Sequence, residues 1–450
     1  MFDNVIAKVR FFYLFFCLVV SLSSCRGADN VQYVTLESYG AKGDGVHNDA
    51  SALNKCIEEG KNVELLPNKT YLLDSPIAPI ECDTFCMKGN GASIVIPKTY
   101  PVTSSCAIFY LSHKQNPKLF KVEDVSMVCQ LEKKKTVPAK DTYVFLSKNC
   151  DKVEFKKLFF RCTGKYNNVT FLRSEGGDLL MDSCNVVMNT FSEVGGIFWL
   201  INKFKTHCNV NVKNSYFEYE SKDECMCFSS SADTKIDKAY INVSVNNCKY
   251  KTLAQSKSSG FFIVYAKKSN AYSDIDVKYN NCSFESHGKY LRYIQSYQCG
   301  KDSLCDYGKF RTEYKNCKFD FHMDRDNADD ERGLLGLVYL KSNNMKKSNV
   351  GYVFRDCDFR LQGIHPIVGD KDSNRKGYYE FYNCTINSDD RAFQKKYNEF
   401  AGDVSLLLKE CNVVSNDEFL NHENVDMTKC SFKHPNGRSK SVKIKRKEQK

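Results

Sequence analysis

Tyr279-Asn280-Asn281-Cys282-Ser283-Phe284 is one of nine copies of a single phrase: a bulky apolar residue, two further residues, Cys, one residue, and a second bulky apolar residue. It returns as Val245 to Tyr250 around Cys248, Tyr314 to Phe319 around Cys317, Phe354 to Phe359 around Cys357 and Phe381 to Ile386 around Cys384. Leu408 to Val413 around Cys411 and Met427 to Phe432 around Cys430 close the series. Earlier copies run from Met181 to Val186 around Cys184 and, with Ser215 in place of Cys, from Val212 to Phe217.

Before each phrase the sequence alternates, as in Ile241, Val243, Val245 or Ile275, Val277, Tyr279. A period of two places one side of an extended strand on an apolar core. The alternation slips by one just before Cys, so the inward series continues only if the backbone turns a corner there. Asn stands before the key residue at 214, 247, 281, 316 and 383, and Asn tolerates the left-handed conformation that a tight corner demands. The phrase reads as strand, corner, strand.

From Cys184 onward, with Ser215 counted as a step, the copies are separated by 31, 33, 34, 35, 40, 27, 27 and 19 residues. Periods of this size mark stacked supersecondary units, and strands with corners but no helical pattern between them make a β-solenoid. One coil cannot bury its apolar face alone. Stacking sets like residue above like at roughly 4.8 Å and fills the interior with columns of Cys and Phe. Sandwich strands with coincidental cysteines would not carry so regular a phrase.

At the N-terminus, Lys8 and Arg10 precede the apolar run Phe11 to Val20. That run is shorter than the ~20 residues of a membrane span and suits the core of a secretory signal. Residues 1–25 are therefore set aside as a targeting segment. Leu22-Ser23-Ser24-Cys25 resembles a bacterial lipobox, in which Cys25 would carry the lipid; cleavage nearby without lipidation is the competing reading. The expected localisation is secreted or cell surface.

About 425 residues then remain, long enough for two or three ordinary domains. No Gly/Ser/Pro-rich linker divides them, and the nine prolines are scattered, so one elongated solenoid is expected. Aromatic residues make up 13% of the chain, with 26 Tyr and 31 Phe against one Trp, as stacked rings would require. The 22 Cys call for a decision, because cysteine-rich secreted chains are commonly disulfide scaffolds. Here Cys occupies an inward position as a small hydrophobe, and stacked neighbours are wider apart than the roughly 3.8 Å between Cβ atoms that a disulfide prefers. Most are expected to be unbridged and buried. The pairs outside the register, Cys82 with Cys86, Cys225 near Cys227 and Cys299 with Cys305, are the candidates for bridges.

Between Tyr33 and Leu73 the chain reads Tyr39-Gly40-Ala41-Lys42-Gly43-Asp44-Gly45, then Asn48-Asp49 opening a short helix to about Glu59, then Asn62-Val63-Glu64-Leu65-Leu66-Pro67. With Lys88-Gly89-Asn90-Gly91-Ala92 and Ile94-Val95-Ile96, this stretch resembles the N-terminal module of the pectate-lyase-like right-handed β-helix superfamily. Glycines permit the tight loop, Asp49 or Asn48 can cap the helix, and Ala52, Leu53, Cys56 and Ile57 fall on one helical face. The resemblance implies an all-β fold: a single right-handed parallel β-helix with a short N-terminal capping helix. The expected organisation is a cap and opening module at 31–97, the β-helix at 98–435 and a basic tail at 436–450. Gly43, Asp44, Gly45 and Asp49 are assigned to the structural opening loop.

In the superfamily, catalysis sits on one long face where inserted loops make a groove for polysaccharide. Glycoside hydrolysis needs two carboxyl groups, whereas a uronic-acid lyase needs a base and a cation. The polygalacturonase motifs Asn-Thr-Asp, Gly-His-Gly and Arg-Ile-Lys are missing from this sequence. The best acidic cluster spans Asp324 to Arg332, inside the 40-residue interval. Asp326, Asp329, Asp330 and Arg332 are its candidate catalytic residues, and the same loop could bind Ca²⁺; no other cofactor is indicated. His287, Arg292, Asp389, Asp390 and Arg391 lie where loops leave strands, and His365 sits between apolar residues.

The net charge is +11, but 438–450 holds seven Lys or Arg and one Glu, so the body is only mildly basic. Basic stripes with interleaved aromatics, the mark of a nucleic-acid binder, are not found. The tail reads as a solvated basic segment. The sequons at Asn68, Asn168, Asn242, Asn281 and Asn383 have meaning only in a eukaryotic secretory route. Two readings follow: an enzyme that degrades a polysaccharide, by hydrolysis or lyase chemistry, or a non-catalytic glycan-binding or adhesin-like solenoid. The expected partner is a polysaccharide, acidic polysaccharides included, with membrane contact only through a lipid on Cys25.

Overall fold

The structure is a computed structural model that describes residues 32–101, 107–112, 117–131, 142–164, 169–189, 194–201, 207–221, 224–232, 238–254, 258–266, 272–288, 293–299, 309–323, 338–341, 350–363, 367, 376–393, 403–417 and 425–437. The chain divides into Met1–Tyr33, of which only Gln32 and Tyr33 are described, and Val34–Lys450, which holds the solenoid. Three parallel sheets form its walls. Sheet A has 14 strands, from Tyr33–Thr35 to Val425–Thr428, and sheet B has 14, from Asp44–Asn48 to Ser431–Lys433. Sheet C has eight, from Ala107–Leu111 to Val338–Lys341. One full coil runs Lys238–Asn246 in sheet A, Lys249–Ala254 in sheet B and Ser258–Ala266 in sheet C, and each strand pairs with its counterpart one coil on. This is a right-handed parallel β-helix; its connections have the hand that parallel crossovers adopt.

The corner between sheets A and B explains the phrase. Asn214, Asn247, Asn281, Asn316 and Asn383 all have φ between 51° and 54°, and Asp356, Glu410 and Lys429 take the same conformation in their coils. Backbone pairing runs unbroken through the turn. Asn247 N–H donates to Asn280 O, and Ser283 N–H donates to Cys248 O, both at 2.9 Å. The Cys side chain serves this turn as well as the core. Cys248 Sγ donates to Asn246 O at 3.2 Å and Cys282 Sγ to Asn280 O at 3.3 Å, while Ser215 Oγ makes the equivalent bond to Lys213 O at 2.7 Å. In these coils the side chain serves as a small donor to the turn, so Ser replaces Cys without breaking the series.

Three earlier corners carry the same backbone without Cys: Asn90 (φ 50°), Asp124 (φ 56°) and Lys157 (φ 49°) precede the strands that begin at Ser93, Ser126 and Phe159. Their buried residues are Ala92, Val125 and Leu158, which hid these copies from a search keyed on Cys.

Inside, rings stack coil on coil. Phe217, Tyr250, Phe284, Phe319 and Phe359 form one column with centroid spacings of 5.0, 5.2, 5.0 and 4.5 Å. Tyr279, Tyr314, Phe354 and Phe381 form a second at 4.8, 4.9 and 4.7 Å. The columns meet edge to face, as at Tyr314–Phe319 with rings 72° apart, the geometry aromatic quadrupoles favour. The helix Ala50–Glu58 buries Ala50, Ala52, Leu53, Cys56 and Ile57 in the same core that holds Val63 and Leu65 of the first coil. It closes the N-terminal end of the stack.

Burial in the column pushes the Cys184 thiol up to about 11 and raises Cys317 and Cys357 further. The expected Cys82–Cys86 bridge is not made. Both remain thiols, because Phe85 and Met87 enter the core and Cys86 between them faces the other way, while Cys82 Sγ donates to Thr84 O at 3.3 Å. The pairs Cys225/Cys227 and Cys299/Cys305 have side chains outside the described residues.

Truncation of a stacked ring should be costly. Tyr314→Ala is expected to lower unfolding stability by roughly 3–5 kcal/mol, the range for buried aromatic truncation, in urea denaturation, against little change for exposed Lys315→Ala. At the corner, Asn281→Ala is expected to cost about 1 kcal/mol for the left-handed backbone, and Asn281→Gly less than that; the reverse order would contradict the corner.

Candidate functional site

Each coil presents three outward faces, and strand register aligns outward residues into columns along the axis. On sheet C the outward column runs Tyr110, Leu146, Arg173, Trp199. A second column sets Ala107 beside Tyr143. Ala107, Tyr143 and Leu146 form a small apolar cluster separate from the main core, with Tyr110 and Trp199 packed on it. An outer sheet face with its own apolar cluster and the chain's one Trp is unlike the polar outer faces of the other two sheets.

Arg173 organises the cluster. Its guanidinium lies 4.6 Å from the Trp199 ring centre and 5.2 Å from that of Tyr143. Nη1 donates to the Tyr143 hydroxyl at 2.7 Å and Nη2 to Glu175 Oε1 at 2.6 Å. The ion pair is largely removed from water, with side-chain exposures of 20% for Arg173 and 7% for Glu175. Burial works against the charged guanidinium, but Tyr143 and Glu175 outweigh it and hold the proton more tightly than usual. Arg173 Nε is buried and has no acceptor among the described residues. Rings, a fixed cation and an unmet donor therefore share one patch.

On sheet B the outward columns carry charge. Glu285 stands in register with Lys251 and Asp320. His287 Nε2 lies 3.0 Å from Glu285 Oε1, and His322 Nε2 lies 3.1 Å from Asp320 Oδ1. The two imidazoles stack at 5.2 Å. Lys249 Nζ reaches Glu285 Oε2 at 3.3 Å. Partial burial pushes the Glu285 carboxyl up, but Lys249, Lys251 and His287 together leave it below the ordinary range. This face is a run of in-register ion pairs.

In the opening loop, Asp49 is buried and turns back to accept Lys42 N–H at 2.7 Å and Gly43 N–H at 3.2 Å. Asn48 Oδ1 accepts the Ala50 N–H at the helix start instead. Asp44 accepts the N–H groups of Val46 and His47, both at 2.9 Å, and its other oxygen lies 2.6 Å from His47 Nδ1. The His47 and Val46 amides lead in holding its carboxyl well below the usual range. Gly43 (φ 59°) and Gly45 (φ 75°) hold left-handed backbone, and a Cβ at Gly43 would press on Lys69 and Tyr71 at 3.1 Å.

Asp326, Asp329, Asp330 and Arg332 lie outside the described residues, as do Cys25, Arg292 and His365. The segment that holds the four joins Lys318–Met323 of sheet B to Val338–Lys341 of sheet C. Asp389 accepts the Gly363 N–H with both oxygens at 3.1 Å, which ties two loops together. Asp390 and Arg391 adjoin it, and Asp390 O accepts the Asn416 N–H at 3.0 Å. Sequence reasoning did not find Tyr143, Arg173 and Trp199. The signal available was the chain's one Trp, set in the apolar run Ile197-Phe198-Trp199-Leu200 after Gly195-Gly196.

Among the described residues no group of three or more His, Cys, Asp or Glu is placed to hold a metal ion, and the Ca²⁺ expectation rested on 324–332. No helix among those residues is long and apolar enough to cross a membrane.

No protein-family model matches the chain, and no curated protein matches it in sequence. Its structure is similar to that of tailspike protein 3 of bacteriophage CBA120, with 10% identity and a TM-score of 0.42 over 91% of this chain and 62% of that one. The chain thus spans about three fifths of the tailspike's length. It is also similar to PfbA, a surface adhesin of Streptococcus pneumoniae, with 13% identity and a TM-score of 0.40 over 90% of this chain and 93% of that one. A family 28 exopolygalacturonase of Yersinia enterocolitica matches with 10% identity and a TM-score of 0.34 over 91% of this chain and 79% of that one.

With one Trp in the chain, fluorescence reports on the patch alone. Arg173→Ala uncovers one face of the indole and should move the emission to longer wavelength; an unchanged spectrum would contradict the cation–ring contact. On sheet B, the depressed Glu285 carboxyl contributes stability that is present above its unfolded pKa of about 4.3 and lost as pH falls through the folded value. Wild type should therefore exceed Glu285→Gln in stability at pH 7, with the difference shrinking as pH falls below the unfolded value in matched urea titrations.

Proposed function

We propose that this chain is a secreted or cell-surface β-helix that recognises polysaccharide along the outer face of sheet C, with Trp199 and Arg173 as a sugar subsite that the buried Tyr143 supports from beneath. The observation that carries the reading is the cation–ring cluster, in which the Arg173 guanidinium lies 4.6 Å from the half-buried Trp199 ring and 5.2 Å from that of Tyr143. A pyranose can offer C–H groups to the rings and an oxygen to the guanidinium, and an acidic sugar supplies the charged oxygen that Arg binds most strongly. Binding sites of this kind combine apolar walls with a few placed polar groups. Strands hold the three side chains, so the subsite is formed before the ligand arrives.

Degradation of the bound chain is the second reading. What favours it is chain order: Asp326, Asp329, Asp330 and Arg332 lie on the segment that leads into the Val338–Lys341 strand of sheet C. Two of these carboxyl groups would act as the acid and the base or nucleophile of a glycoside hydrolase.

Titration of the full chain with oligogalacturonate, alginate and neutral glucan oligomers, with and without Ca²⁺, tests both readings through Trp199 fluorescence. The expected result is saturable quenching by an acidic oligomer that Trp199→Phe abolishes as a signal and that Arg173→Gln weakens at least tenfold by calorimetry. Absence of binding by every oligomer would refute the proposal. Slow release of reducing ends or unsaturated products, lost in Asp326→Asn/Asp330→Asn, would establish the degradative reading; stable oligomers would leave recognition alone.

A further inference from the structure

The corner between sheets A and B also carries a shallow, open depression that crosses four successive coils. One wall is the amide ladder. Asn247 Nδ2 donates to Asn214 Oδ1, and Asn281 Nδ2 to Asn247 Oδ1, each at 3.2 Å. The other wall is the first outward column of sheet B, where Asn185, Tyr216, Lys249 and Ser283 follow one another in register. Both walls line the same space.

Three features of this groove fit a ligand. Each ladder amide uses one N–H and one lone pair along the ladder, and an amide has two of each, so the three coils with a ladder Asn repeat unspent donor and acceptor capacity. Asn185 Oδ1 is buried and has no donor among the described residues, and a buried polar atom ordinarily has a partner. The one cation in the lining, Lys249, is matched by Glu285 at 3.3 Å, which leaves the groove close to neutral. Ladder amides, serine hydroxyls, one phenol ring and no net charge point to a neutral polyhydroxylated chain.

We propose that the groove is a second glycan site, distinct from the sheet C face, that takes an extended neutral oligosaccharide lying parallel to the solenoid axis. The repeat makes it a site for a polymer. The ladder amide recurs at three of the four coils, roughly every 4.8 Å, so a mono- or disaccharide reaches only part of the row while a longer chain engages all of it.

The test uses isothermal calorimetry of the full chain with hexamers of β-1,4-linked glucose, xylose and N-acetylglucosamine, and with the corresponding dimers. At least one hexamer is expected to bind, with its dimer at least tenfold weaker. Ser283→Trp, which fills the groove from its outward wall, should weaken the hexamer at least tenfold, and Trp199→Ala should leave it unchanged. Lys249→Glu provides a variant without added bulk, with an expected loss of at least threefold, should Ser283→Trp fail to fold. The proposal is overturned if no hexamer binds, if hexamer and dimer bind alike, if the folded groove variants bind as wild type, or if Trp199→Ala abolishes the binding.

Discussion

One left-handed residue per coil, clamped between backbone hydrogen bonds to the coils on either side, is the constraint from which the rest of the solenoid follows. That residue redirects the chain from sheet A to sheet B without interrupting the ladder, as the paired bonds from Asn247 and Ser283 show. A left-handed conformation is unfavourable for most residues, so Asn recurs at the position. Lys157, Ser183, Glu410 and Lys429 adopt it as well, at φ of 49° to 58°, because neighbouring coils over-determine the backbone. Once the corner is fixed, the residue after it must face inward, and the apolar residues two before the corner and three after it must stack on their counterparts. The thiol column and the two ring columns are consequences of that geometry.

The same register that builds the core organises the surface. Outward residues fall into columns at the spacing of the coils, so a charge or ring on one coil meets a predictable neighbour on the next. On sheet B this gives the ion pairs around Glu285 and the stacked His287 and His322. On sheet C it brings Trp199 beside Arg173 and sets Tyr143 near them, although the three are separated by 26 and 30 residues in sequence. Sites on rigid strands need little reorganisation to receive a ligand, and a solenoid offers the same chemistry repeatedly along one direction.

The fold was legible in the sequence to the extent that a corner carries Cys. Nine corners do so or substitute Ser, and they gave both the repeat and the inward columns. The corners at Ala92, Val125 and Leu158 obey the same geometry, but an apolar residue there is indistinguishable from any other core position. Sheet C carries no phrase of its own. Val144 and Phe145, like Phe171 and Leu172, are consecutive and all belong to the core, so the period-two signal fails there and the outward Arg173 and Trp199 do not stand out. The expectation for Cys82 and Cys86 failed for a similar reason: four residues apart in sequence, they are placed on different sides of the wall by a strand whose alternation the spacing alone does not reveal. Acidic residues are conspicuous in a sequence and drew attention to 324–332, whereas a cluster of one Arg beside two rings is visible only once register is known.

The claim on which all of this rests is that consecutive copies of the phrase occupy consecutive layers. Pulsed electron resonance between two nitroxides on genetically encoded residues at Glu218 and Arg360, with the native thiols left unlabelled, measures it directly. These positions share one outward column and are four coils apart. The stacked account predicts a backbone separation of about 19 Å, four strand spacings, with a narrow distribution. A broad distribution, or a distance far from that value, would contradict the layering and with it both proposed glycan sites.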